Sequence, residues 1–509
     1  MEKTIRSSGR AGVHMDEQLK FSSRPCWTCR KKRVKCDGCL PTCFKCRMKG
    51  RECLGYSTNR PLVWAGLASR GKMARQSFED QAPKSPTEAQ QLISPKLLLA
   101  RTLSDPVFQD LSPRSVQYLS YYVYRCCVEC TLYEPDSPNC FKQFLTLMPG
   151  NPVLVHSILA ISAIHQARST ACAHNASQAP ILLEQSPIDC VDVTSLSHST
   201  ELASSQYSDA IAHSSSSMSA LREALANAPD CLDALLATVF ILIWLDVVDS
   251  GKMAWKHHLE GLKVLISLQR SSRKDATGLK AFFEETFAVL SLIGSTFDSS
   301  LLRLLDIFPR SELDEIFGRT ELHSWTGCPS DLLSTLRVFS VSAVSSDPPS
   351  PQEIHQWIAQ LRQFDTTSWA ARCPQSASSH IRYSLGEAWK GAIEIYGRRL
   401  LGGRCPDIQE VPNDLVDTTL SHLTQIDHRD THFKGTVWPA FVVGAEAQTT
   451  QQREAILNIF GHLIEFLHLS MLHIAIVQLK RIWARSTPYP AGNSWIHEIW
   501  EQRDGLLLL

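Results

Sequence analysis

The chain has 509 residues, 51 basic and 51 acidic, with 44% hydrophobic and 20% charged side chains, an ordinary soluble composition that excludes fibrous and wholly disordered classes. The zero net charge hides an asymmetry: residues 1–75 hold 18 Lys and Arg against 5 Asp and Glu, a net of +13, which leaves −13 for the rest. A basic end suits a polyanion and an acidic body does not, so the two parts have different partners. Residues 1–25 are polar, rich in Ser, Gly and Arg, and read as a disordered basic N-terminus with no apolar signal segment. The longest apolar run, Ala234 to Leu245, is too short to span a bilayer, so no membrane partner is expected. Seventeen cysteines without a secretion signal point to a reducing compartment.

Between Arg24 and Gly55 two Cys-x2-Cys-x6-Cys units stand in tandem: Cys26, Cys29 and Cys36, then Cys43, Cys46 and Cys53. Tetrahedral zinc needs four ligands, with sulfur at about 2.3 Å. Three per unit is one short, and two ions sharing two bridging thiolates let the six cysteines supply every bond. The alternatives are a disulfide framework, which suits small secreted domains, and two separate fingers, for which no His-x-His tail is present. These residues resemble the fungal Zn(2)-Cys(6) binuclear zinc-cluster family of transcription factors, whose spacings they match throughout. The resemblance implies two zinc ions per chain, bridged by Cys26 and Cys43. One ion would sit on Cys26, Cys29, Cys36 and Cys43, the other on Cys43, Cys46, Cys53 and Cys26. Pro41 matches the proline usual in the connecting loop, and Cys39 is a seventh cysteine outside the pattern, read as a free thiol.

Cations are threaded through the cluster: Arg30, Lys31, Lys32, Arg33 and Lys35 in the first unit, Lys45, Arg47, Lys49 and Arg51 in the second. A structural metal site needs no such charge, whereas double-stranded DNA neutralises it with counterion release. A short helix is expected from Cys29 towards Cys36, its N-terminal end entering the major groove. The resemblance makes Lys32 and Arg33 the base readers, of CGG-type triplets, by donation to guanine O6 and N7. Arg30, Lys35, Lys45, Arg47 and Arg51 suit phosphate, and Lys31 belongs to the same DNA-binding set. The plainer reading is a solvated charge run that serves nuclear import.

Residues 54–95 read as a linker with Pro83, Pro86 and Pro95. Its Leu62-x-Trp64 and Ser69-Arg-Gly-Lys72 are similar to one subgroup, the acriflavine-sensitivity and arginine-catabolism regulators. Gln76 to Leu99 offers no heptad repeat, so a coiled-coil dimer is not expected.

Residues 96–509 are helical in period. Val116 to Tyr133 carries apolar side chains at helical spacing, and Asn151-Pro152 opens an apolar helix. A Ser/His/Thr-rich loop at 169–200 precedes a helix from Tyr207 to Ala226. Cys231 to Val248 and Trp255 to Leu268 pair across Asp249-Ser-Gly, residues 280–307 and 381–401 are helical again, and 340–355 is a surface loop. Asp233-Ala-Leu-Leu-Ala-Thr, Trp255-x-x-His-Leu-Glu-Gly-Leu, Ala392-x-x-Ile-Tyr, Trp438-Pro-Ala-Phe-Val-Val-Gly-Ala-Glu-Ala and the stretch from Trp495 to Leu509 resemble the fungal-specific transcription factor domain. That implies an all-helical regulatory body. The expected fold is thus a small zinc-stabilised binuclear-cluster domain of two short helices, residues 26–53, followed by a large all-α regulatory domain, residues 96–509.

No catalytic constellation emerges: there is no Gly-x-Ser-x-Gly, P-loop or Gly-x-Gly-x-x-Gly, and His497-Glu begins like a zincin motif without its second histidine. Cys126, Cys127 and Cys130 read as buried structural thiols. His257 and His258 are adjacent and cannot share a helix face. Glu446 is expected to pair with an arginine or cap a helix. The body could hold a hydrophobic pocket for a small-molecule effector, or dock a partner protein. The whole reads as a nuclear, zinc-dependent, sequence-specific regulator of RNA polymerase II transcription acting with the transcription machinery. Its target would be a metabolic, secondary-metabolite or drug-resistance pathway. The alternative is a co-regulator whose basic cluster serves only import or non-specific DNA binding.

Overall fold

The computed structural model describes residues 22–56, 111–132, 139–176, 201–226, 231–249, 254–271, 278–321, 324–372, 379–490, 492–502 and 505–508. The basic N-terminus, most of the 54–95 linker with its subgroup resemblance, and the region without heptads lie outside the described residues. The chain divides into two compact units, Met1–Thr102 and Leu103–Leu509. Among the described residues there is no β-strand. No helix among them is long and apolar enough to cross a membrane.

The described residues of the first unit hold two helices, α1 (Trp27–Lys31) and α2 (Phe44–Met48), packed on each other. The described part of the second begins with α3 (Pro113–Tyr121), where Ser112 accepts from the Ser115 amide and Pro113 takes the first position. It continues through a π turn, Tyr122–Cys126, into Cys127–Glu129. Next come α4 (Pro152–Ala176) and α5 (Glu201–Ala224), which pack together. The loop expected at 169–200 is therefore entered by helix at its start. Thr170 Oγ1 donates to Gln166 O at 2.8 Å, so a residue that reads as a loop former satisfies its hydroxyl within the helix.

The pair expected around Asp249 is present as α6 (Leu232–Asp249) against α7 (Ala254–Ser271). Then follow α8 (Lys280–Ser295), a 3-10 segment (Ser299–Ile307), α9 (Arg310–Thr320), α10 (Ser330–Val344) and α11 (Pro351–Arg362). Helix occupies both ends of the loop expected at 340–355, leaving only 345–350 between α10 and α11. Ser350 and Glu353 form a reciprocal capping box, with Pro351 at the first helical position. The Ser and Pro that look like loop chemistry are a helix start.

The longer helices that follow among the described residues are α12 (Thr366–Ala371), α13 (Ser379–Leu401), α14 (Asn413–Thr424), α15 (Val437–Ala445), α16 (Thr450–Leu467), α17 (Met471–Ala484) and α18 (Trp495–Gln502), with a short helix, Pro406–Gln409, between α13 and α14. Helix α13 is the axis of this unit, packed against α10, α11, α12, α14, α15 and α18. Gly391 lets α14 approach, since a Cβ there would lie 2.1 Å from Thr419 Oγ1. The Trp389 and Trp438 rings stack at 5.0 Å with their planes 4° apart, a pair worth about 0.5–1.5 kcal/mol beyond the area it buries. Their indole N–H groups donate to Thr326 O at 3.1 Å and Thr296 Oγ1 at 3.0 Å.

Candidate metal centre and nucleic-acid interface

The two cysteine units fold as copies. In each, the first cysteine caps a five-residue helix: Cys26 Sγ accepts from the Cys29 amide at 3.3 Å, and Cys43 Sγ from the Cys46 amide at 3.2 Å. Each helix then ends in a left-handed residue, Arg33 at φ 52° and Gly50 at φ 57°. The next amide closes the turn in both: Val34 N–H donates to Cys29 O at 3.0 Å and Arg51 N–H to Cys46 O at 3.0 Å. An arginine lies over the first aromatic of each, Arg30 on Trp27 at 4.8 Å and Arg47 on Phe44 at 5.4 Å.

This geometry corrects the helix expected from Cys29 to Cys36. Because the Cys26 sulfur is the cap, the helix starts at Trp27 and ends at Lys31. Lys32 is its C-cap and Arg33 the left-handed residue beyond. The expected base readers therefore stand at the C-terminal end of α1, not within the helix.

The sulfurs converge. The ligand atoms of Cys26, Cys29, Cys43 and Cys46 all lie within 4.8 Å of one another, and Cys36 and Cys53 pack against them. Cys26 to Cys43 is 3.6 Å, Cys29 to Cys43 3.7 Å and Cys26 to Cys46 3.9 Å. Zinc–sulfur bonds of about 2.3 Å in a tetrahedron put sulfurs about 3.8 Å apart, so these separations fit. Cys36 and Cys53 both interact with Cys26 and Cys43, which puts those two at the centre of the group. One distance departs from the shared-thiolate scheme: Cys29 and Cys46, assigned there to different ions, are 3.9 Å apart.

Burial pushes the Cys26 and Cys43 thiols well up, so a cation among them is needed to hold both as thiolates. Burial also opposes the Cys36 thiolate, but the Cys26 and Gly38 amides donating to its sulfur outweigh it and bring it down to about 7. Among the described residues of this unit, the buried apolar cluster consists of Cys26, Cys29, Cys43 and Cys46. It is too small to hold two five-residue helices by apolar burial alone, and zinc bound to the cysteines would supply the cross-link. Cys39 stays apart, its thiol directed to Leu40 O at 3.9 Å.

Three residues that sequence reasoning missed support this frame. Asp37 accepts from the Cys39, Phe44 and Lys45 amides at 3.0–3.1 Å. The Phe44 amide foremost holds its carboxyl down at about 2. Thr28 joins the halves, donating to Glu52 O and accepting from the Leu54 amide, both at 2.9 Å. Tyr56 donates to Cys39 O at 2.7 Å. An Asp directly after the third cysteine was the one available signal.

Arg30, Lys31, Lys32, Arg33, Lys35, Lys45, Arg47, Lys49 and Arg51 are all exposed. Residues 22–56 hold ten basic and two acidic side chains, and Asp37 is taken up by backbone amides. Uncompensated cations on a zinc-ligand scaffold form a surface for a polyanion.

A family model for the fungal specific transcription factor domain matches residues 117–509, and one for the fungal Zn(2)-Cys(6) binuclear cluster domain matches residues 24–61. The chain belongs to the fungal Zn(2)-Cys(6) transcription factor family. As a member it is a DNA-binding, zinc-binding transcription regulator, not an enzyme. Its relatives include the acriflavine sensitivity control protein acr-2 of Neurospora crassa, 22% identical over 92% of this chain and 93% of that protein. The phomenoic acid biosynthesis cluster-specific transcriptional regulator of Leptosphaeria maculans is 22% identical over 54% of this chain and 46% of its own. White-opaque regulator 2 of Candida albicans is 58% identical over 31 residues, 6% of this chain and 7% of its own. No solved structure matches.

In the regulatory body of this transcription factor the other candidate residues are structural. Cys126 and Cys127 are fully buried. Burial pushes Cys127 up to about 12, and Cys126 and Cys130 well above their ordinary value. His257 is exposed, and His258 lies 3.6 Å from Asp246. His497 Nδ1 accepts from the Ser494 amide at 3.2 Å. Glu446 accepts from Arg399 Nε at 2.7 Å and its terminal nitrogen at 2.6 Å, and from Trp495 Nε1 at 2.8 Å. The body also has a partly open cavity of about 90 Å³ lined by Phe141, Phe240, Trp244, Leu290 and Trp325, with Lys434 at its wall. The Lys434 ammonium is taken up by the carbonyls of Val128, Glu129 and Thr131.

Proposed function

We propose that the chain is a nuclear regulator of RNA polymerase II transcription that holds two zinc ions on its six cluster cysteines and reads GC-rich triplets of the CGG type. The observation that carries this reading is the placement of Lys32 and Arg33. They are exposed, at the end of a helix whose start and turn are both built on cluster cysteines. A metal cross-link thereby sets the direction of two side chains able to donate to guanine O6 and N7. Cys26 and Cys43, each close to several other sulfurs, take the bridging role. Arg30, Lys31, Lys35, Lys45, Arg47 and Arg51 neutralise phosphates, with Arg30 and Arg47 steadied on their aromatic neighbours. Import and DNA contact share these residues.

Residues 1–25 serve as a basic arm, 54–95 as a linker and 96–509 as the regulatory body. The relative named for a biosynthesis cluster and the one named for acriflavine sensitivity support control of a secondary-metabolite or drug-response pathway. The apolar cavity beside Trp325 supports a small-molecule effector for the body, which communicates with the transcription machinery. Replacing Lys32 and Arg33 by alanine tests the reading. Loss of promoter occupancy with zinc content unchanged is expected, and unchanged occupancy would favour the co-regulator reading.

A further inference from the structure

Outside the cluster, one other group of three metal-ligand side chains converges among the described residues: His355, Cys405 and Asp407, their ligand atoms within 4.8 Å of one another. Cys405 Sγ lies 3.7 Å from His355 Nε2. Zinc bonds of about 2.3 Å to sulfur and 2.0–2.1 Å to nitrogen, at a tetrahedral angle, put those two atoms about 3.5 Å apart. The donors come from two segments, His355 from α11 and the other two from the start of the short helix Pro406–Gln409 after α13, where Cys405 is the N-cap and Asp407 lies in the first turn. We propose that His355, Cys405 and Asp407 form a further zinc site, on the regulatory body and separate from the six cluster cysteines.

The chemistry of the set favours zinc. A thiolate and a carboxylate together balance a divalent charge, and thiolate with imidazole selects a borderline ion over magnesium or calcium. Cys405 is 1% exposed while His355 and Asp407 face solvent, so the sulfur is shielded and the fourth position is left to water.

The scaffold is held by the chain's own hydrogen bonds. The Arg404 and Cys405 amides both donate to Leu401 O, at 2.9 and 3.2 Å, and the Ile408 amide closes on Cys405 O at 3.1 Å. Arg404 ties this turn to the end of α10 by donating to Ser342 O at 2.6 Å and Ala343 O at 2.7 Å. Helix α10 leads directly into the helix that carries His355, and α11 packs on both α10 and α13. Ligands held on packed elements bind at a lower ordering cost than ligands on a free loop.

The test is the metal content of the full-length chain after equilibrium dialysis against buffered zinc, for wild type, His355→Ala and Asp407→Asn. Both replaced side chains are exposed, so each variant retains the fold, and far-ultraviolet circular dichroism checks this. Wild type is expected to hold one zinc ion more than either variant. Cobalt loading is expected to give a wild-type-minus-His355→Ala spectrum with a single thiolate-to-metal band. Equal zinc content in all three chains would overturn the proposal, as would a cobalt spectrum unchanged by His355→Ala.

Discussion

Arg33 stands at φ 52° where the second unit of the cluster, 17 residues on, carries Gly50 at φ 57°. A side chain at a left-handed position costs about 1–2 kcal/mol, a cost that Gly50 avoids. An arginine held in that conformation at the tip of α1 points to a role for its guanidinium. Arg33→Gly is expected to leave zinc retention and the fold of the cluster intact or slightly more stable. Affinity for the preferred duplex should fall by about 1–3 kcal/mol. Titration of both chains with one labelled duplex checks this. Equal affinity would remove Arg33 from base reading.

Arg47 and Arg30 are matched positions whose proposed role is electrostatic. Arg47→Ala is expected to weaken binding to all duplexes alike and to lower the slope of log affinity against log salt by about 1. The readout is affinity at several salt concentrations on specific and random DNA. A loss confined to one sequence would instead make Arg47 a base reader.

In the regulatory body, Arg399 grips Glu446 with two hydrogen bonds and Trp495 adds a third. The side chains are 28% and 5% exposed, so removing the carboxylate strands a largely buried guanidinium. Glu446→Ala should destabilise the body by about 3 kcal/mol, seen as an earlier denaturant midpoint by circular dichroism. Sequence preference on DNA is expected to stay as in wild type.

Asp246 supplies a pH signature. Burial, and secondarily the Asp249 carboxylate, pushes it up to about 7 from 3.8. Its facing partner is His258, which burial pushes down. Between these limits the folded chain keeps a proton that the unfolded chain releases. The resulting stabilisation is full below the unfolded value and is lost as pH rises through about 7. Asp246→Asn cannot ionise, so it is expected to raise Tm relative to wild type at about pH 8 and to change it little at about pH 4. Thermal melts at both values decide it.

Metal chemistry made the cluster legible in the sequence. Zinc accepts few ligand types, and short fixed spacings place them, so Cys26 to Cys53 and the cations between them stand out in the sequence. The helix boundary does not, because a cysteine sulfur acting as N-cap has no conventional sequence signal, and this puts Lys32 and Arg33 at the end of α1 rather than within the helix expected from Cys29 to Cys36. In the body, the pairing of α6 with α7 followed from apolar period. The stretches at 169–176, 340–344 and 351–355 read as loop yet are helical, because hydroxyl and proline chemistry serves helices as readily as loops, whereas 345–350 is the loop expected there. Glu446 was placed correctly because a carboxylate after an apolar run needs a cation. The meeting of His355 with Cys405 and Asp407 was invisible, since only tertiary packing brings together residues 50 apart.

The central claim is zinc-dependent, sequence-specific DNA binding, and it is tested most directly by selecting randomised duplex DNA on the full chain, with and without a chelator, and sequencing what is retained. Enrichment of a CGG-type triplet only when zinc is present is the expected result. Retention of DNA with no enriched sequence, or enrichment that survives the chelator, would contradict the account.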